Sequence, residues 1–119
     1  PVFVNGDKER IEQVLINLIV NSIKYGKLNG LTSVGIESFD EKKFIIKVVD
    51  NGEGIKEEHI SRLFERFYRV DQSRSREQGG SGLGLSIVKH IVEAHNETVL
   101  INSTFKKGSE FSFTMKKVK

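Results

Sequence analysis

The stretch Asp50-Asn51-Gly52-Glu53-Gly54-Ile55 decides how this chain folds. Just before it, residues 43–50 alternate apolar and polar, with Phe44, Ile46 and Val48 on one face, the two-residue period of a half-buried strand. Asn-Gly after a strand is the strongest short hairpin signal, and a hairpin demands a second strand next. None follows. From Lys56 to Phe67 the apolar residues Ile60, Leu63, Phe64 and Phe67 recur at helical spacing, which predicts a helix over 56–67. The strand therefore ends in a glycine-lined turn that enters a helix. That leaves Asp50 at a strand end, where a carboxylate facing a cavity can accept a hydrogen bond from a ligand amine.

Toward the N-terminus, residues 2–5 read as a short strand, and Asp7 offers an N-cap to a helix. Ile11, Val14, Leu15, Leu18 and Ile19 give that helix its apolar stripe, and it runs to about Gly26, with Gly30 as a further stop. Residues 31–39 alternate as a strand, with Val34 and Ile36 on the face shared with Phe44, Ile46 and Val48, and Asp40-Glu41-Lys42 marks the hairpin between the two. Toward the C-terminus, residues 69–80 carry five charges and almost no apolar side chain, the composition of a mobile loop. A long helix over 82–95 follows, with Leu83, Ile87, Val88, Ile91 and Val92 facing inward. Strands over 97–105 and 110–116 close the chain through a Lys106-Lys107-Gly108-Ser109 turn. The order β-α-β-β-α-loop-α-β-β predicts a two-layer α+β fold, with a mixed sheet of about five strands packed on three helices.

Composition narrows the function classes. The chain has 119 residues, no Cys, no Trp and one Pro, with 19 Lys+Arg against 16 Asp+Glu for a formal net charge of +3. One domain over 1–119 accounts for that length, and a chain of this size buries enough surface to need no staples. The absence of Cys excludes disulfides, thiolate zinc sites and thiol nucleophiles, and suits a reducing compartment. No apolar run approaches a membrane span, and no signal-peptide pattern opens the chain. The start at Pro1-Val2-Phe3-Val4 reads as a strand already under way, so a piece of something longer is expected. Nucleic-acid binding is not expected. The mild charge does not call for it, and six of the eight Phe lie in or beside strands, where core packing accounts for them.

Two further motifs carry chemistry. In the first helix Asn17, Asn21 and Lys24 stand at i, i+4 and i+7, on a face opposite the apolar stripe. Asn is a poor helix former, and two of them one turn apart suit a hard cation such as Mg²⁺; a plain solvent face is the alternative. Then Gly79-Gly80-Ser81-Gly82-Leu83-Gly84-Leu85 opens the last helix, where free backbone N–H groups and the helix N-terminus favour phosphate; a flexible hinge is the alternative. It is neither a dinucleotide fingerprint nor a P-loop, since no strand precedes it and no Gly-Lys-Ser/Thr follows. Among the histidines, His59, His90 and His95 read as surface or helix-end residues rather than metal ligands or phosphoacceptors, and His90 and His95 are five apart, off one helical face.

Taken together these motifs resemble a known family. Asn17-Leu18-x-x-Asn21 with Lys24-Tyr25 resembles the N box of sensor histidine kinases, Asp50 to Ile55 their G1 box, Leu63-Phe64-Glu65-Arg66-Phe67-Tyr68-Arg69 their F box, and Gly80 to Val88 their G2 box. Order and spacing match over essentially the whole chain, and the likeness is strongest to the catalytic domains of phosphate-regulon-type sensors. The resemblance implies the Bergerat ATP-binding fold shared with gyrase, the Hsp90 chaperones and the MutL repair proteins, with ATP and Mg²⁺ as cofactors. It implies that Asp50 receives the adenine amino group, with Tyr25 and Ile55 beside the base. It implies that Asn21 coordinates Mg²⁺ with Asn17 close by, and that Lys24 and Arg69 meet phosphates. Gly52 and Gly54 line the adenine turn, and Tyr68, Gly80, Ser81, Gly82, Leu83, Gly84 and Leu85 belong to the nucleotide-binding lid and its hinge. Residues 69–80 become that lid, anchored by Phe64 and Phe67. Ser81 stands where many relatives carry Thr, which keeps the hydroxyl.

Hydrolytic relatives place a Glu where this chain has Asn17, and Asn cannot take a proton from water at neutral pH. That favours transfer of the γ-phosphoryl group to a protein histidine over hydrolysis, with Asn17, Asn21, Lys24 and Arg69 as the catalytic set. The resemblance further implies a cytoplasmic module of a membrane-anchored sensor, without membrane contact of its own. It would be monomeric alone and homodimeric in the full-length protein. Its partners would be the dimerisation and phosphoacceptor domain and, through the whole protein, a response regulator. A hydrolytic or chaperone-type ATPase of the same fold, or a nucleotide-binding regulatory module, remains as an alternative.

Overall fold

Asp7 begins the first helix as the sequence predicts: its Oδ1 accepts the backbone N–H of Arg10 at 3.2 Å, and its carbonyl accepts Ile11 N–H at 2.9 Å. In the computed structural model, residues 3–24, 30–65 and 84–118 are described. Their elements run β1 (Val4–Asn5), α1 (Lys8–Lys24), β2 (Thr32–Ser38), β3 (Lys43–Asp50), α2 (Glu57–Ile60), α3 (Gly84–Ala94), β4 (Val99–Thr104) and β5 (Gly108–Lys117).

β5 organises the sheet. Along one edge it pairs with β3 from Lys43↔Lys116 to Asp50↔Ser109. Its other edge is shared end to end by β4, from Val99↔Phe113 to Thr104↔Gly108, and by β1, through Val4↔Lys117 and Asn5↔Lys116. β2 completes the sheet on the far side of β3. Every one of these pairings is antiparallel, so the expectation of a mixed sheet is corrected. The cause is the placement of β5: it lies between β3 and the two strands that run parallel to β3, β1 and β4, so no parallel strands become neighbours, while β2–β3 and β4–β5 are hairpins.

The core lies between one face of the sheet and the helices. Val14, Leu18, Val88 and Val92 from α1 and α3 meet Val48, Phe111, Phe113 and Met115 from the sheet, all of them essentially inaccessible to water. Each such side chain contributes about 1.5–3 kcal/mol by leaving water. The opposite face of β5 is polar yet covered. Thr114 Oγ1 donates to Glu97 Oε1 at 2.8 Å, and the same oxygen meets Lys43 Nζ at 2.8 Å, so the buried Glu97 carboxylate is both hydrogen-bonded and paired. On the exposed part of this face, Glu37 bonds Lys47 at 3.1 Å and raises its pKa.

Three expectations shift here. Of the helix predicted over 56–67, residues 56–65 are described; there it is α-helical at Glu57–Ile60 and continues to Glu65 as turns closed by bonds such as Arg62 N to His59 O and Glu65 N to Arg62 O, one residue tighter than α-helix. Val34 and Ile36 do share a face with Val48 and Ile46, their register partners, but stay 52% and 41% exposed, because the helices cover β3 and β5 rather than the edge strand. Of the Phe assigned to core packing, Phe111 and Phe113 are buried, whereas Phe3, Phe39 and Phe105 are exposed. Phe105 sits in the β4–β5 turn, where the ammonium groups of Lys56 and Lys106 lie 5.2 and 5.8 Å from its ring centre. No described helix is long and apolar enough to cross a membrane.

Candidate functional site

Asp50 is the last residue of β3, held between Thr32 of β2 and Ser109 of β5. It is a buried carboxylate, 9% exposed, at the end of its strand. Burying a charge is costly without hydrogen bonds, and both oxygens have one. Gly52 N–H donates to Oδ1 at 2.9 Å, and the Ser22 hydroxyl donates to Oδ2 at 2.9 Å. A carboxylate offers about four acceptor positions, so two donors fix its plane and leave capacity for a ligand donor.

The turn after Asp50 is braced from two sides. Asn51 bonds back to the chain entering β2, accepting Leu31 N–H on Oδ1 at 2.7 Å and donating its own N–H to Leu31 O at 3.2 Å. On the other side the β4–β5 hairpin presses against it. Gly54 has φ +71°, and a Cβ there would lie 2.1 Å from Thr104 O. Gly108 has φ +138°, with a Cβ position 2.2 Å from Asp50 O. Both contacts are with backbone, so only glycine lets the two loops close on each other. Ser103 joins them chemically. Its Oγ accepts Ile55 N–H at 2.8 Å, donates to Gly108 O at 3.1 Å, and meets Ser109 Oγ at 2.8 Å. Lys106 N–H also donates to Glu53 O.

α1 brings the amide pair alongside. Asn17 and Asn21 are both half-buried, and Asn17 Nδ2 donates to Gly84 O, the first residue of α3, at 3.4 Å. Asn17 therefore borders the start of α3, and neither amide is fully exposed as a position opposite the apolar stripe would be; the exposed side of α1 carries Ile16, Val20 and Ile23, each more than half exposed. Lys24 is the last residue of α1. With Asn17 Nδ2 engaged by a carbonyl, its Oδ1 remains as an acceptor, as does that of Asn21. Among the described residues no cluster of three His, Cys, Asp or Glu is placed to hold a metal ion. Two neutral amide oxygens suit Mg²⁺, which retains water and takes the rest of its shell from phosphate oxygens, so the donor set fits a nucleotide-bound cation.

The remaining predicted residues divide clearly. Gly84 opens α3, and nothing among the described residues lies within 4 Å of a Cβ placed there. Ile55 is buried within the core, and Leu85 and Phe64 pack against that core. Tyr25, Phe67, Tyr68, Arg69, Gly80, Ser81, Gly82 and Leu83, the segment 69–80 and the Lys24 side chain lie outside the described residues. His90 is exposed on α3. His95, at the end of α3, bonds Ile91 O through Nδ1 at 2.8 Å and accepts Asp7 N–H on Nε2 at 3.1 Å, a tie between two helix ends.

Sequence reading missed Ser22, Thr32 and Ser103. Ser22 could have been flagged, because a hydroxyl at i+4 from Leu18 interrupts the buried stripe of α1. Thr32 and Ser103 become visible only when strand register and the folded hairpin bring them to the turn.

Comparison with known proteins agrees with this architecture. Residues 6–119 match the family described as histidine kinase-, DNA gyrase B- and HSP90-like ATPase. The chain is 39% identical over 115 residues to sensor histidine kinase WalK of Bacillus subtilis, covering 96% of this chain and 19% of that protein. It is 42% identical over 116 residues to the phosphate regulon sensor protein PhoR of Haemophilus influenzae, covering 98% of this chain and 27% of that protein. Identity alone therefore does not single out the phosphate-regulon type. The chain spans only about a fifth to a quarter of these relatives. The mycobacterial sensor histidine kinase MprB superposes with a TM-score of 0.84 at 26% identity, over 96% of this chain and 76% of that one. The catalytic domain of histidine kinase ThkA does so at 0.79 and 31%, over 98% and 73%. Full-length ShkA in complex with AMPPNP gives 0.83 and 26%, over 99% of this chain and 24% of that one. By the family match over residues 6–119 and by its relatives, the chain belongs to the histidine kinase-, DNA gyrase B- and HSP90-like ATPase family, in its sensor histidine kinase branch.

Proposed function

We propose that this chain binds Mg²⁺-ATP and transfers its γ-phosphoryl group to a histidine on a separate dimerisation domain of a sensor kinase. The observation that carries the reading is Asp50: a buried carboxylate at a strand end, fixed by two donors, with acceptor capacity left for an adenine amino group. The braced turn from Gly52 to Ile55 forms the wall beside the base. Asn21, with Asn17 next to it, holds the cation, which supplies charge neutralisation at the phosphates. Lys24 and Arg69 meet the phosphate oxygens, and Gly80, Ser81, Gly82 and Gly84 offer backbone N–H groups to them.

Asn17 favours transfer over hydrolysis. Its carboxamide donates to Gly84 O and cannot take a proton from water. The accepting imidazole nitrogen forms a P–N bond as the bond from phosphorus to the β,γ-bridging oxygen breaks, and ADP leaves. Positioning and charge neutralisation then dominate catalysis. In this reading the chain works on the cytoplasmic side of a larger homodimeric sensor that passes the phosphoryl group to a response regulator.

The test mixes the purified chain with Mg²⁺, γ-labelled ATP and a helical dimerisation domain carrying the acceptor histidine. Acid-labile, base-stable label on that domain is expected, and Asp50→Asn weakens nucleotide binding roughly tenfold or more through loss of a charge-assisted contact. Steady release of inorganic phosphate without phosphoprotein would point to the hydrolytic class instead.

A further inference from the structure

The Asp50 carboxylate does not stand alone. Ser22 sits on the buried stripe of α1, one turn beyond Leu18, and is 1% exposed. A buried hydroxyl costs free energy unless it is paired, and its single proton goes to Asp50 Oδ2 at 2.9 Å. The Ser22 Oγ also lies 3.2 Å from Thr32 Oγ1. With its proton committed to Asp50, Ser22 can only accept there, so Thr32 is the donor. The result is a directed chain, Thr32 O–H to Ser22 O–H to Asp50, running from the edge strand through the helix to the end of β3. Each donor polarises the next, which strengthens the final bond. The Gly52 N–H holds the other carboxylate oxygen at 2.9 Å.

We propose that Ser22 and Thr32 are positioning residues that set the purine preference of the Asp50 site. The inference rests on the nucleotide-binding reading above. A carboxylate held on both oxygens cannot swivel, so its free acceptor position faces one point in the site. A 6-amino purine places a donor there. A 6-oxo purine places an acceptor at the same point and offers its donor only at the neighbouring ring nitrogen, which a fixed carboxylate does not reach. Removing the Ser22 hydroxyl frees Asp50 to rotate toward that nitrogen, so discrimination falls even though Asp50 remains.

The experiment measures dissociation constants for Mg²⁺-ATP and Mg²⁺-ITP on the wild-type chain, Ser22→Ala and Thr32→Val, with a thermal melt of each. Wild type binds ATP more tightly than ITP. Ser22→Ala weakens ATP binding roughly three- to tenfold with little change for ITP, and Thr32→Val moves the ratio the same way by a smaller factor. A merely structural role would lower both affinities together, in step with the melting temperature. Because Thr32 is exposed, its substitution keeps the test in force if Ser22→Ala fails to fold. An ATP:ITP ratio unchanged in both variants overturns the inference and leaves nucleotide binding standing. Failure of the wild-type chain to bind ATP overturns the nucleotide-binding reading, and this inference with it.

Discussion

Replacing Gly54 by Ala tests how the turn beside Asp50 is built. The residue has φ +71°, where a side chain costs about 1–2 kcal/mol. The added Cβ would lie 2.1 Å from Thr104 O, 2.8 Å from Thr104 C and 3.0 Å from Phe105 Cα, all backbone atoms that cannot turn aside. Moving the hairpin away costs a further ~1–3 kcal/mol, by analogy with overpacked cores. It also stretches the bonds from Ile55 N–H to Ser103 and from Lys106 N–H to Glu53. The sum is about 2–5 kcal/mol, a fall in melting temperature of about 8–20 °C for a domain of this size. Gly35→Ala is the control. It lies within β2, with nothing inside 4 Å of its Cβ position, and should stabilise by about 0.5–1 kcal/mol through the unfolded chain. Thermal and urea melts followed by circular dichroism read both. Equal stability of Gly54→Ala and wild type, or equal losses in the two variants, would refute the claim that the turn and the hairpin are closed on each other.

Two further outcomes follow from buried contacts. Glu97→Ala removes a carboxylate that serves Thr114 and Lys43 together and should cost about 3–5 kcal/mol in a urea melt; a loss below 1 kcal/mol would mean that the pair is solvated rather than structural. His95 should carry its proton on Nδ1, since that atom faces Ile91 O while Nε2 accepts Asp7 N–H. Long-range proton–nitrogen correlation spectra read the tautomer directly, and a proton on Nε2 would contradict the tie between α1 and α3.

What could be read from the sequence follows from how local each signal is. β3 and the turn after it were legible because period-two alternation ending in Asp50 and giving way to helical spacing is contained within some twenty residues. The Asp7 cap and the inward residues of α1 and α3 were legible for the same reason. The sheet's hand of pairing was not: that β5 lies between β1 and β3 is a fact of the whole topology. Nor was the solvent side of α1. Ile16, Val20 and Ile23 lie outside the predicted stripe, and the structure leaves each of them more than half exposed where a polar face was expected. The candidate site divides in the same way. Asp50, Asn17 and Asn21 announce themselves by residue type and spacing. Ser22, Thr32 and Ser103 are small hydroxyls whose role depends entirely on what register and the returning hairpin bring within hydrogen-bond reach.

In the proposed function, nucleotide binds between the Asp50 turn and the Asn17 and Asn21 side of α1. Titrating the ¹⁵N-labelled chain with Mg²⁺ and a non-hydrolysable ATP analogue tests it most directly. The largest shifts are expected at Gly52 and Ile55, at Asn17 and Asn21 with their side-chain amides, and at Gly84. Shifts confined to the exposed β2 face around Val34 and Ile36, or none at millimolar nucleotide, would contradict it.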